Sequence, residues 1–111
     1  MPKRSAPVDV VFHALADPTR RAVIERLGRG PAPTRELARH FDMALPSFAQ
    51  HLDVLTRGGL VTSHKQGRVR TYHLVPAQLE VAKDWMEAQR AVWEQRSDQF
   101  DSYVTEPEAG P

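Results

Sequence analysis

The fold is decided by the stretch PTRELARHFDMALPSFAQHLDVLTRGGLV, residues 33–61. Thr34 is a residue type that caps helices, and Pro46 suits the first position of a second helix. Both helices have apolar residues at helical spacing: Leu37, Ala38 and Phe41 in the first, Phe48, Leu52 and Leu55 in the second. Gly58 and Gly59 end the second helix. The stretch therefore predicts two short helices joined by a tight turn, a helix-turn-helix.

The residues after this stretch follow the alternating pattern of a β-hairpin. With Gln66 and Gly67 as the central turn residues, Val61 lies opposite Tyr72 and both face the core. The exposed tip then carries three cationic side chains, which are Lys65, Arg68 and Arg70. A basic hairpin directly after a helix-turn-helix predicts a wing that reaches the phosphates or the minor groove of DNA.

Further helices flank these elements on both sides. The sequence predicts a helix over residues 8–15, a second that begins at Asp17 and Pro18, and a long last helix over residues 77–104. The last helix would be roughly 40 Å long, more than so small a body can cover. We predict a single domain, residues 1–111, that is mainly α with a small β-hairpin: a winged helix-turn-helix core (8–76), a long C-terminal dimerisation helix and a flexible tail (105–111).

Charge is distributed unevenly along the chain. Residues 1–76 carry 12 Lys and Arg against 6 Asp and Glu, a net of +6, while residues 77–111 carry 3 against 8, a net of −5, and these sum to the overall +1. A basic front half can meet phosphates while an acidic last helix stays away from them. Taken alone, the charge pattern fits two solvated faces that differ by chance equally well.

Several classes of function find no support in the sequence. The chain has no cysteine, which excludes disulfides and thiolate metal sites. His13 and His40 have no partner at ligand spacing, and His64 and His73 are far apart on the predicted hairpin. No catalytic motif is present, so we expect neither an enzyme nor a metal or other cofactor. With no signal peptide and no membrane span, we expect a cytoplasmic protein.

The second helix of the pair supplies the candidate DNA-reading side chains. Because its apolar residues are needed inside, the polar residues near its start are left to face outward. Glutamine can pair with adenine, serine with several base edges, and histidine with phosphate or guanine. We predict that double-stranded DNA is bound by Ser47, Gln50 and His51 of this helix and by Lys65, Arg68 and Arg70 of the wing.

Apolar residues on the first and last helices predict a homodimer. A small core leaves limited stability, so an apolar helix face without a partner in the subunit finds one on a second subunit. The candidate interface residues are Val8, Val11, Phe12, Leu15, Trp85, Met86, Val92, Trp93 and Phe100.

Three segments resemble, in order, the ArsR family of bacterial winged-helix repressors: ALADPTRRAVIERL (14–27), the helix-turn-helix above (33–61) and HKQGRVRTYHL (64–74). The run WMEAQRAVWEQR (85–96) resembles the dimerisation helix of members without metal sites. The resemblance implies a homodimeric repressor that occupies an imperfect palindrome in a promoter. The chain departs from the family at Ala44 and Ala49, where members often carry hydroxyl side chains.

Two other interpretations stay open. One is a protein-interaction module whose winged helix no longer reads DNA and whose Trp85, Trp93 and Phe100 bind another protein. The other is a repressor that responds to an unknown small-molecule effector between the dimer helices. Trp85 and Trp93 would line such a pocket, although core packing is the favoured role for both.

Overall fold

The structure, a computed structural model, describes residues 7–109 and the side chains of residues 7–98. In that part of the chain the elements are α1 (Pro7–Leu15), α2 (Pro18–Leu27), β1 (Ala32–Pro33), α3 (Thr34–Ala38), α4 (Leu45–Arg57), β2 (Val61–Gln66), β3 (Val69–Leu74) and α5 (Pro76–Ala109). The strands form one antiparallel sheet in the order β1-β3-β2. The predicted mainly helical fold with a small hairpin and a long last helix is confirmed.

The N-terminal ends of α2 and α3 are formed in different ways. Asp17 caps α2 as predicted, since its Oδ2 accepts a hydrogen bond from the Arg20 amide at 3.0 Å. The prediction that Thr34 caps α3 is wrong, because Pro33 is paired in the sheet and α3 begins at Thr34 itself. The Thr34 hydroxyl instead donates to the Arg70 carbonyl oxygen at 3.2 Å, which ties the helix-turn-helix to the hairpin.

β1 is a two-residue strand that the sequence did not predict. Ala32 pairs with Tyr72 of β3, and Pro33 pairs with Thr71. Proline cannot donate to a strand ladder and is found at sheet edges, so a segment between Pro31 and Pro33 shows no strand pattern. The pairing places the start of α3 directly beside the hairpin.

The hairpin forms, but its register differs from the prediction by two residues. Val61 pairs with Leu74 rather than with Tyr72. The turn is centred on Gly67 and Arg68, one residue later than predicted, and Gly67 has a φ of 65°. A two-residue turn with glycine in its first central position requires this left-handed value. Because the shift is an even number of residues, Val61 and Tyr72 still face the core and are buried.

The core includes the buried side of α4, which packs against α2 and β2. Its largest fully buried side chains are Val11, Val23, Leu37, Phe48, Leu52, Leu55 and Leu60. Phe41 lies beyond the end of α3 and packs against Phe48 with ring centroids 5.2 Å apart. Since the apolar residues of α4 point inward, the opposite side of this helix faces solvent.

α5 extends far beyond the body of the domain. Residues 105–109 are helical rather than the predicted flexible tail, and residues 110–111 lie outside the described part. The 34 residues of the helix span about 50 Å. Leu79 and Ala82 pack on the core, whereas residues 83–96 are all exposed. Among the described residues, no helix is both long and apolar enough to cross a membrane.

The candidate interface residues differ in exposure. The exposed ones are Trp85 (47%), Met86 (50%), Val92 (55%) and Trp93 (68%). Val8, Phe12 and Leu15 are partly exposed, and the Phe12 ring packs edge-on against Trp85 with centroids 5.6 Å apart. Val11 is completely buried, so it belongs to the core of its own subunit and its assignment to the interface is wrong. Phe100 lies outside the residues whose side chains are described.

Candidate nucleic-acid interface

Near its start α4 exposes polar side chains on one side, while Phe48, Leu52 and Leu55 are used in the core. Phe48 and Leu52 are buried, whereas Ser47 and Gln50 are exposed, as the sequence predicted. The N-cap residue Ala44 makes no side-chain hydrogen bond to the helix. Two polar side chains and an uncapped first turn are therefore open to a ligand at the start of α4.

His51 is only partly exposed and is tied to α2, which corrects the prediction that it simply faces outward. Its side chain is only 22% exposed, and its Nδ1 lies 3.1 Å from Nη1 of Arg20 on α2. A guanidinium can only donate, so Nδ1 accepts and neutral His51 carries its proton on Nε2. His51 consequently presents a donor whose tautomer and orientation are set by α2.

Arg20 connects three helices. Its Nε donates to the Ala14 carbonyl oxygen at 2.6 Å, and its Nη2 donates to the His13 carbonyl oxygen at 3.1 Å. Both acceptors lie near the C-terminal end of α1, where a cation is also favoured by the helix dipole. With the contact to His51, a single side chain holds α4 against α1 and α2.

Asp17 completes this cluster. Its Oδ2 lies 3.7 Å from His51 Nδ1. Burial alone would raise the pKa of Asp17, but the hydrogen bond from the Arg20 amide, the charge that His51 carries when it is protonated and the charge of Arg20 outweigh burial and lower the pKa below its usual value. Asp17 therefore caps α2 as a carboxylate at neutral pH.

The wing tip concentrates positive charge in a small area. Lys65 and Arg70 are directly opposite each other on β2 and β3, Arg68 lies in the turn, and all three are exposed. Like charges at opposite cross-strand positions repel each other, and a bound anion relieves that repulsion. Nη1 of Arg70 donates to the Ser63 hydroxyl at 2.8 Å, which orients the guanidinium. The structure thus brings the three predicted wing residues together.

A groove of about 760 Å³ lies between α3, the start of α4 and the wing. Four arginines line it: Arg35 from α3, Arg39 directly after the end of α3, and Arg68 and Arg70 from the wing. Among the described residues that line the groove, none is Asp or Glu. The groove therefore adds Arg35 and Arg39 to the cations of the wing tip and suits an anionic ligand.

Leu45 and Val69 also line this groove, and neither was among the predicted site residues. They are 62% and 52% exposed. Leu45 precedes Phe48 by three positions and Leu52 by seven, which is the spacing of a buried stripe, so no signal in the sequence marks it as exposed. It is the first residue of α4, and it is exposed there.

Two histidines of the wing are closer than predicted. The ring centroids of His64 and His73 are 5.2 Å apart, with the rings nearly perpendicular. The shifted register pairs His64 with Thr71 and His73 with Thr62, which makes the two histidines diagonal neighbours. Within the described residues, no three His, Cys, Asp or Glu side chains are arranged to hold a metal ion.

The chain is similar to several known regulators. A family model described as a helix-turn-helix domain matches residues 15–64. The chain is 33% identical over 76 residues to the transcriptional repressor SdpR of Bacillus subtilis, which covers 68% of this chain and 84% of SdpR. It is 45% identical over 71 residues to the HTH-type transcriptional regulator Rv2034 of Mycobacterium tuberculosis. This match covers 64% of this chain and 66% of that protein, so the chain spans just under two thirds of the length of Rv2034.

The fold is similar to solved structures as well. The crystal structure of an ArsR family transcriptional regulator matches with a TM-score of 0.77 and 48% sequence identity. The match covers 80% of this chain and 98% of that chain. Similarity in sequence and in fold thus extends over the helices that carry the candidate interface.

Proposed function

This chain belongs to the ArsR family of winged helix-turn-helix transcriptional regulators, and we propose that it acts as a homodimeric repressor that occupies an imperfect palindrome in a promoter. It is a DNA-binding transcriptional regulator. Regulators of this family bind double-stranded DNA, typically as dimers, and are generally not enzymes. The observation that carries the proposal is the exposed polar start of α4 beside a cationic wing and groove. We further propose that the protein has no catalytic activity and acts in the cytoplasm, where bacterial promoters lie.

In the proposed complex the start of α4 enters the major groove. Ser47 and Gln50 reach base edges there, and the Gln50 amide suits the N6 and N7 edge of adenine. His51 donates from Nε2 to a phosphate or to guanine, in the tautomer that Arg20 favours. The side chains of the wing contact the neighbouring phosphates, namely Lys65, Arg68 and Arg70.

The exposed stripe on α5 supports the homodimer. Trp85 and Val92 are seven residues apart, as are Met86 and Trp93, so these four side chains lie along one side of the helix. Large apolar side chains exposed together mark an interaction surface. A second copy of this chain would bury the stripe. It would also set the two α4 helices about 34 Å apart, which is one turn of duplex DNA.

DNA binding is tested by fluorescence anisotropy on a duplex from upstream of the chain's own gene and on a random-sequence library, over a range of salt concentrations. We expect affinity to fall steeply with salt. Arg70→Ala should weaken binding to all sequences and flatten the salt slope by about one unit, whereas Gln50→Ala should relax sequence preference. Arg96→Ala, on the projecting part of α5, is the matched control and should leave the slope unchanged. Binding without salt dependence would contradict the phosphate contacts.

The dimer is tested by sedimentation equilibrium. Trp93→Glu places a charge in the proposed interface, so we expect monomers at concentrations where the wild type is dimeric, and weaker DNA binding as a consequence. Ala91→Glu introduces the same charge about 200° around the same helix and should leave the dimer intact. A wild type that sediments as a monomer would remove the basis for palindrome recognition.

Two alternatives remain as outcomes of these tests. If no duplex binds, a protein-interaction module that has lost DNA reading becomes the better interpretation, and the missing side-chain cap at Ala44 favours it. An effector-responsive repressor predicts heat of binding in titration calorimetry with candidate small molecules and release of bound DNA on their addition. We propose no metal or other cofactor in either case.

A further inference from the structure

Two exposed apolar side chains lie outside the proposed dimer surface. Six large apolar residues of the described chain are exposed, and four of them form the stripe on α5. The other two, Leu45 and Val69, line the groove between α3, the start of α4 and the wing. Ala49 is exposed as well and follows Leu45 by about one helical turn. The side of α4 that begins at Leu45 is therefore apolar, whereas Ser47 and His51 lie on a different side of the helix.

The surroundings of Leu45 favour duplex DNA as the ligand. The other side chains that line the groove include four arginines and neither Asp nor Glu among the described residues, so a purely apolar partner would leave these charges without counterions. DNA supplies phosphates for the arginines. Its major groove also offers one apolar group, the 5-methyl group of thymine. Residues at the start of a recognition helix are the ones that reach base edges.

We propose that Leu45 contacts the 5-methyl group of a thymine in each half-site and thereby makes the protein prefer thymine at that position. The inference rests on the proposed function, because it requires the start of α4 to lie in the major groove. Burying one methyl group against a leucine strengthens binding about fourfold per half-site. Leu45 then determines specificity for an apolar group of the DNA. Gln50, elsewhere on the same helix, has the complementary role of reading polar base edges.

The test removes the methyl group from the DNA and the leucine from the protein. A binding site is selected from random duplexes with the wild type, and each thymine in it is replaced in turn by deoxyuridine, which lacks only the methyl group. We expect that, in each half-site, replacement at one thymine position weakens wild-type binding about fourfold. Leu45→Ala should bind the thymine and deoxyuridine duplexes equally, while Leu45→Met should keep the discrimination because it keeps an apolar contact.

Arg68→Ala is the matched control, since it removes a cation from the same groove and no apolar contact. We expect it to weaken binding to both duplexes and to leave their ratio at about four. Thermal unfolding followed by circular dichroism should show that Leu45→Ala folds as the wild type does, because Leu45 is exposed.

Each other outcome has a definite meaning. Wild-type binding that no deoxyuridine weakens overturns the inference and leaves the proposed function intact. The inference is also overturned if deoxyuridine still weakens the binding of Leu45→Ala. If this weakening is then lost in Ala49→Gly, Ala49 is identified as the residue that contacts the methyl group. A wild type that selects no duplex at all overturns the proposed function and this inference with it.

Discussion

Replacing Arg20 by alanine removes a guanidinium that joins α1, α2 and α4. Its bonds to the Ala14 carbonyl and to His51 Nδ1 are partly buried, whereas its bond to the His13 carbonyl is exposed. A partly buried hydrogen bond contributes about 1 kcal/mol net, and an exposed one contributes little. We therefore expect Arg20→Ala to lower the free energy of unfolding by about 2 kcal/mol.

Urea unfolding at a fixed protein concentration measures this loss, since the stability of a dimer depends on concentration. With a denaturant slope of about 2 kcal/mol per molar, the midpoint should fall by about 1 M. Arg21→Ala is the control, because the only side-chain hydrogen bond described for Arg21 is an exposed one to the Leu15 carbonyl. It should change stability by less than about 0.5 kcal/mol. Equal midpoints for the two variants would refute the role assigned to Arg20.

A double-mutant cycle isolates the contact between Arg20 and His51. We expect Arg20→Ala and His51→Ala to couple by about 1 kcal/mol, because the hydrogen bond is lost in either single variant. Nitrogen-15 spectra of the imidazole should show the Nε2–H tautomer in the wild type and a weaker preference for it in Arg20→Ala. Zero coupling together with an unchanged tautomer would show that the two side chains do not interact.

Three further predictions concern the fold. Asp17→Ala should lower the free energy of unfolding by about 1 kcal/mol at pH 7. Because the folded-state pKa of Asp17 is lowered, this loss should shrink as the pH falls below about 4. In a stability titration, Asp17→Asn should show no such pH dependence. Phe48→Ala should cost about 3–5 kcal/mol in urea unfolding, because Phe48 is buried against Phe41; a loss below about 1 kcal/mol would contradict that packing. Gly59→Ala should lower the free energy of unfolding by about 1–2 kcal/mol, because Gly59 has a φ of 75° and a Cβ there would meet Gln78 Cγ at 3.1 Å. Gly28 has a φ of −62°, so the control variant Gly28→Ala should not destabilise the protein.

Most elements could be predicted from local signals in the sequence. The cap at Asp17, the end of α4 at Gly58 and the apolar spacing of α4 are all confirmed, because caps, helix breakers and amphipathic spacing act over a few residues. The pairing of Ala32 with Tyr72 joins residues forty positions apart and leaves no local pattern. The predicted position of the hairpin turn was wrong. Gly67 can be the first or the second central residue of the turn, and both choices keep the same alternation of buried and exposed side chains. Only the pairing with β1 and the packing on the core distinguish the two choices.

The features of the candidate site also fall into those that the sequence predicted and those that only the tertiary structure decided. The sequence by itself determined that α4 begins with an exposed Ser47 and Gln50 and that a basic tip follows, because both follow from which side chains a core needs and which it cannot hold. Only the tertiary structure decided that His51 turns toward Arg20, that Val11 is buried within its own subunit, and that Leu45 borders a groove lined by arginines. These outcomes depend on the distances between elements that are far apart in the chain, and the periodicity of a single helix contains no information about its neighbours.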